Sequence, residues 1–366
     1  MHSCRLTMCA PNGSKSNLKQ AMPVINPMLK RLAASLLLLL SLSISVPALA
    51  WDSTGHRLSA AVMLEYVDEE TRDQLIAILS EHPRFREDFL AEIPRFVDRQ
   101  NEDAMAEWLL GQAAYWPDIA RGLPDTERRR YNRPGWHYEN GAWMRGATEI
   151  QGNVYVDLAE FPDIAGANGD TITSEAMVGN VTTAIDYNVR LLLDNQTPPA
   201  QRAVALCWVL HLIGDIHQPL HAGALFSPIT FSDGDRGGNG ISIGESNLHS
   251  RWDRALASGG VVAEKQIILS GMTAAESTAQ NLDELDWTIW LNESRNLLQP
   301  TVYADFIIDE IRAADSEERS MRALSLPADY VEQMQQVSRQ RLGLAGRRLG
   351  LLFQSGFSMQ TSSTPR

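Results

Sequence analysis

Apolar residues along this chain recur every three or four positions, the spacing of one face of an α-helix. Val181, Ile185, Val189 and Leu192, led by Met177, follow it, and so do Val331, Met334, Val337, Leu342, Ala345, Leu349 and Leu352. From Ala203 to Ile213 the segment is apolar nearly all round, which predicts a helix buried on every side. Two stretches break the period. Pro124 to about Asn168 reads as irregular, and residues 223–248 carry Gly234, Gly237, Gly238, Asn239 and Gly240, a long Gly-rich loop or short hairpin. No repeat and no linker divides the chain beyond residue 50, so the pattern predicts a mainly α fold in one domain, residues 51–354. Beyond Gln354 the polar run Thr361-Ser362-Ser363-Thr364-Pro365 predicts a flexible tail, residues 355–366.

The first 50 residues differ in kind. They hold five basic side chains (Arg5, Lys15, Lys19, Lys30 and Arg31) and no acidic one. Lys30-Arg31 precede an apolar run from Leu32 to Val46, and Pro47-Ala48-Leu49-Ala50 follows. A basic flank, a short apolar core and an Ala-x-Ala ending predict a secretory signal peptide, residues 1–50, cut after Ala50. The lead-in is long for such a peptide, so translation from Met22 or Met28 is an alternative start. The run is short for a membrane span, although a retained anchor is the other reading. Cleavage makes Trp51 the new amino terminus, with no membrane insertion afterwards and a secreted or periplasmic product.

Composition sharpens this picture. Residues 51–366 are enough for one large core. Cys4 and Cys9 leave with the leader, and Cys207 lies alone in an apolar segment, so no disulfide framework forms. The net charge of −13 deepens to −18 without the leader, with 27 basic residues against 45 acidic ones and Lys265 the single lysine. That excludes broad electrostatic binding of nucleic acid, which needs a basic surface. It leaves room for a phosphate substrate whose charge is met locally by metal ions.

Chemistry concentrates in His211-Leu212-Ile213-Gly214-Asp215-Ile216-His217-Gln218-Pro219-Leu220-His221. His211 and Asp215 stand four apart and share a helix face, separated by about 6 Å of rise. Pro219 disfavours helix at Gln218 and swings His221 out of that register. The spacing repeats at His249 and Asp253, in Asn247-Leu248-His249-Ser250-Arg251-Trp252-Asp253. A lone histidine on an apolar face is more often a core residue, and a His–Asp ion pair could satisfy Asp215 without metal. Two such pairs plus His221 favour the imidazole and carboxylate set of a zinc site.

Two further segments carry donors, Tyr115-Trp116-Pro117-Asp118-Ile119-Ala120-Arg121 and Gly135-Trp136-His137-Tyr138-Glu139-Asn140. Alone, Asp118 could cap a helix after Pro117 and His137 could lie in a surface loop. The order of the whole set resembles one family: Trp51 with His56 five later, Trp-x-Asp-x-x-Arg, His-Tyr, His-x3-Asp-x5-His, Gly-Gly-Asn, then Asn-Leu-His-x-x-Trp-Asp. It is similar to the trinuclear-zinc nucleases of fungi, plants and bacteria, the S1/P1 type, whose fold is shared with zinc-dependent phospholipase C. The likeness runs from Trp51 to about Leu352, where Ala345-Gly346-Arg347-Arg348-Leu349 matches the family's last helix.

The resemblance implies three Zn²⁺ per chain. Asp118, His137, His211 and Asp215 would hold one. Asp215 would bridge to a second, completed by His56 and the free amine and carbonyl oxygen of Trp51. His221, His249 and Asp253 would hold a third with open positions. Arg121 would grip a phosphate oxygen, Tyr138 would stack on a base, and Asp118 and Asp215 would join Arg121 as the catalytic groups. The implied activity is that of an endonuclease or phosphodiesterase, a hydrolase leaving 5′-phosphates on single-stranded DNA and RNA, with 3′-nucleotidase action alongside, from a monomer. Asn140 departs from the acidic residue of the fungal enzymes, and their disulfides are absent. The nearest alternative, a phospholipase C acting on lipid head groups, would lead one to expect Glu at Asp253 and no Gly-Gly-Asn loop. A zinc-storage protein fits poorly with a three-ligand open site, and no His-Glu-x-x-His of a zinc protease occurs.

Overall fold

Side-chain caps set most of the helix starts. In the computed structural model, which describes residues 51–139, 153–158, 174–275 and 285–362, Asp52 accepts hydrogen bonds from the Thr54 and Gly55 N–H groups and opens α1 (Ser53–Met63). Asp68 opens α2 (Glu69–Ser80) and Asn101 opens α3 (Glu102–Ile119) in the same way. The short α4 (Asp125–Tyr131) follows. Asn180 and Thr183 form a reciprocal capping box at α5 (Val181–Leu193). Pro199 at the first position starts α6 (Pro199–Ile216). Asn247 caps α7 (Leu248–Asp253), and α8 (Val261–Ala275), α9 (Trp287–Arg295), α10 (Asp305–Ser316) and α11 (Ala328–Ser362) complete the helices.

The mainly α expectation holds. Helix α6 is buried at every position from Ala205 to Ile216 and packs against α5 on one flank and α3 on the other. Each Leu or Ile it buries contributes about 1.5–3 kcal/mol, so α6 is the axis of the first core cluster, with Leu110, Trp116, Ile185 and Phe353 around it. A second cluster gathers Trp51, Leu58, Trp252, Tyr303 and Ile307. Helix α1 contributes to both, through Ala60 and Met63 on one side and Leu58 and Val62 on the other. Its histidine therefore emerges between them. Helix α11 lies close along α1: a Cβ on Gly346 would fall 2.6 Å from the Val62 Cβ and 2.8 Å from the Ser59 carbonyl oxygen.

Strands are few. Val154–Tyr155 (β1) pairs in parallel with Leu225–Phe226 (β2). Ser242–Ile243 (β3) and Ser246–Asn247 (β4) make the short antiparallel hairpin expected between 223 and 248.

The structure revises four readings. Met177 belongs to a 3₁₀ turn and is 41% exposed, because α5 starts only after the Asn180 cap. The stretch after Pro124 contains α4, a helix too short to show a period. Asp118 caps no helix; Pro117 and Asp118 both lie inside the last turn of α3. Helix α11 continues through Ser362 where residues 355–366 were expected to be a flexible tail, since Phe353 and Phe357 stand four apart and bury their rings. Residues 48–366 cluster as one unit. The leader and Asn140 lie outside the described residues. No helix among the described residues is long and apolar enough to cross a membrane.

Candidate metal centre

The end of α6 presents His211 and Asp215 on one face, both fully buried. The helix stops at Ile216, and Gln218, before Pro219, takes extended backbone angles (φ −87°, ψ 117°). A 3₁₀ turn, Pro219–His221, then returns His221 to within 3.8 Å of Asp215 Oδ1. From α1, His56 places Nε2 3.6 Å from the same oxygen and stacks its ring 3.9 Å from that of His211. His137 ends a 3₁₀ turn (Pro134–His137), with Nδ1 3.0 Å from Asp215 Oδ2 and 2.9 Å from His211 Nε2. Asp118 Oδ1 lies 3.9 Å from His211 Nε2. Helix α7 sets His249 Nε2 3.4 Å from Asp253 Oδ2, with the His221 ring 4.9 Å from that of His249.

Three groups result: His56, His211 and Asp215; Asp118, His137 and His211; His221, His249 and Asp253. Within each group the donor atoms lie within 4.8 Å of one another, and every member is buried. All eight side chains expected as ligands are thus gathered in one place. Trp51 is beside them: its indole N–H donates to the Gly214 carbonyl at 2.9 Å, and the next N–H, on Asp52, donates to the Asp253 carbonyl at 3.1 Å.

Metal fits this donor set. Zinc at about 2.0–2.2 Å in a tetrahedron holds its ligand atoms about 3.3–3.6 Å apart, close to the 2.9–3.6 Å separations around Asp215 and His249. Backbone carbonyls take the outer nitrogens. His211 Nδ1 donates to Ala114 O at 2.8 Å, His221 Nδ1 to His137 O at 2.5 Å and His249 Nδ1 to Gly237 O at 2.6 Å. That leaves each Nε2 lone pair turned inward, the usual support of a metal-binding imidazole. His56 Nδ1, His221 Nε2, Asp215 Oδ1 and Asp253 Oδ2 are buried without a hydrogen bond, a cost that a cation would offset.

Electrostatics agree. Burial pushes the Asp215 and Asp253 carboxyls well above the usual carboxylate range and raises Asp118. It holds His56, His137 and His221 well below the usual imidazole range and brings His211 down to about 4. Neutral imidazole is the form that ligates. Arg121, 2.8 Å from Asp118 Oδ1, adds a positive charge felt by His56, His137, His211, His221 and Asp215. Tyr138 is half-buried at the edge, and burial pushes its hydroxyl above the usual phenol range.

Not every histidine of the dense segment joins in. His217 Nδ1 donates to Ile213 O at 2.7 Å and its Nε2 accepts from Arg348 at 2.8 Å, which makes it a satisfied core residue. Several supports were not visible as candidates. Gln218 Nε2 donates to Asp253 Oδ1 at 2.7 Å. Asp235, fully buried, accepts from the Leu225 and Gly238 N–H groups and the Tyr303 hydroxyl, each at 2.8 Å, and so shapes the loop that offers Gly237 O to His249. A carboxylate two residues before Gly-Gly was the available signal.

Gly238 has φ +80°, and a Cβ there would sit 3.2 Å from the His249 backbone nitrogen and 3.1 Å from Leu220 Cδ1. Gly238→Ala is expected to displace His249 and lower phosphodiesterase activity about 10–100-fold, with the chain still folded by circular dichroism. Unchanged activity would show that the loop does not hold His249 in place.

Comparison with known proteins gives this geometry a lineage. The S1/P1 nuclease family is matched over residues 51–358, most of the chain and all eight of the gathered side chains. The chain belongs to the S1/P1 nuclease family. It is 45% identical to Endonuclease 4 of Arabidopsis thaliana over 56 residues, 14% of this chain and 16% of that protein. With Nuclease S1 of Aspergillus oryzae it shares 42% over 76 residues, 19% and 23% of the two chains. With Endonuclease 3 of Arabidopsis thaliana the likeness is 26% over 218 residues, 56% and 54%. The aligned segments therefore span at most about half the length of these relatives. The S1/P1 match ends inside α11, four residues short of that helix's end.

Proposed function

We propose that this protein is a zinc-dependent phosphodiesterase that hydrolyses single-stranded DNA and RNA to 5′-phosphate products, exported and cut after Ala50, acting as a monomer. The carrying observation is the convergence of buried His and Asp donors on Asp215, with Arg121 beside them. Asp118, His137, His211 and Asp215 would hold one zinc; Asp215, His56 and the amine and carbonyl of Trp51 a second; His221, His249 and Asp253 a third. Zinc in such a site acts as a Lewis acid on phosphate and lowers the pKa of water to about 7.

The chain's own residues do the rest. Arg121 orients a phosphate oxygen and neutralises its growing charge. Asp215 keeps the donor groups in register, and Asp118 fixes Arg121 by their ion pair. Tyr138 offers a face to one base, which is most available in a single strand because unstacking a duplex costs a few kcal/mol. Local cations in an acidic protein account for affinity without a basic surface.

Purified residues 51–366 with zinc should cleave single-stranded DNA and RNA, lose this activity with a chelator and regain it with zinc, while leaving phosphatidylcholine intact. Cleavage of the lipid instead would make it a phospholipase C, and a 3′-nucleotide included in the panel decides the nucleotidase activity. Tyr138→Ala is expected to raise KM for single-stranded substrate about tenfold, from stacking worth about 1–3 kcal/mol, at unchanged zinc content. Loss of zinc in that variant would make Tyr138 a prop for His137 instead.

A further inference from the structure

Behind the metal centre lies a cavity of about 470 Å³. Trp208 forms the partition: it lines the cavity and packs its ring 5.4 Å from that of His137. Tyr131, Trp136 and Tyr187 make more of the wall, with Trp136 edge-on to Trp208 at 4.8 Å and to Tyr187 at 6.0 Å. The volume suits a small ligand. Its aromatic lining suits a flat one.

The edge of this cavity is charged. Within the acidic chain, Arg128, Arg129, Arg130 and Arg133 fall within six residues of sequence, on and just after α4. Arg130 and Arg133 line the cavity, lying over the Tyr131 and Trp136 rings at 5.2 and 5.7 Å. Arg133 pairs with Glu175 and Arg128 with Asp125, both at 2.5 Å, while Arg130 has no carboxylate partner among the described residues. Arg190, outside the lining, lies 5.7 Å over Tyr187. Within the wall itself, the Tyr131 hydroxyl is buried without a hydrogen bond. A flat aromatic wall and a guanidinium without a carboxylate partner among the described residues together describe a base with its phosphate.

The same segment of chain ties this place to the centre. Asp118 and Arg121 precede α4, and His137 follows it, so α4 packs on the Arg121 turn and hands the chain directly to a proposed ligand. We propose that the cavity is a second nucleotide subsite, which takes one base of the strand being cut and its phosphate on Arg130. This rests on the nuclease reading above. It adds a place where strand length is sensed, since a dinucleotide at the centre has no distal base to offer.

Two variants test it. Arg130→Glu reverses the charge at the edge, and Ala200→Trp fills the cavity from an exposed position on α6. KM for a single-stranded 12-mer is expected to rise about tenfold in each, in keeping with the loss of one stacked base or one phosphate contact. For a dinucleotide, kcat and KM should stay as in the unmodified protein. Kd for a nuclease-resistant phosphorothioate 12-mer, read by fluorescence anisotropy, should rise by the same factor as KM. Unchanged 12-mer constants in both variants would overturn the subsite, as would equal losses on dinucleotide and 12-mer. An unmodified protein that cuts neither substrate would defeat the nuclease reading instead, and the Kd comparison would still decide the cavity.

Discussion

Asp215→Asn is expected to lower kcat/KM on single-stranded DNA at least about a thousandfold, the scale of losing several kcal/mol of Lewis-acid stabilisation. Its two oxygens face four imidazoles, at 3.0 Å (His137), 3.2 Å (His211), 3.6 Å (His56) and 3.8 Å (His221). An amide keeps the size and removes both the charge and one acceptor. Asp253→Asn should cost less, because that carboxylate faces His249 and is already shared with Gln218. Zinc content measured beside the rate should fall by more than one ion for Asp215→Asn and by at most one for Asp253→Asn. Equal, mild losses would show that Asp215 is not shared between metals.

The second large effect concerns the amino terminus. Trp51 is 1% exposed, pinned through its indole to Gly214, next to Asp215, and through the following N–H to Asp253. A free α-amine has a pKa of about 7.7–8.0, so a metal can displace its proton near neutral pH, and amine and carbonyl of one residue close a five-membered chelate ring. An extra methionine before Trp51 leaves the indole bond in place and replaces the amine with an amide. That variant should fold, bind one zinc fewer and lose at least about a hundredfold in kcat/KM, more than the loss of a supporting contact alone. Full zinc content at an undiminished rate would remove Trp51 from the ligand set.

What the sequence disclosed follows from which contacts have a period. His211 with Asp215 and His249 with Asp253 were legible because four residues make one helical turn, and the Gln218-Pro219 break located the change of direction at His221. Helix α6 was legible because every side of it is apolar. Asp118 was ambiguous, since Pro117 usually starts a helix and here lies in the last turn of one. The Phe353 and Phe357 pair carried the helical spacing beyond Gln354, but the polar residues around it masked the signal. Least legible were the carbonyls of Ala114, His137 and Gly237 that orient the histidines. Every residue has a carbonyl, so its use depends on where the fold carries it. Asp235 belongs to the same class: its worth lies in the loop it closes.

Elemental analysis of the purified 51–366 chain, with its native Trp51 terminus, tests the central claim most directly. The count should come close to three zinc per chain, and chelation should remove the zinc, the phosphodiesterase activity and part of the thermal stability together. A count near one zinc per chain, or activity that persists in chelator, would contradict the account.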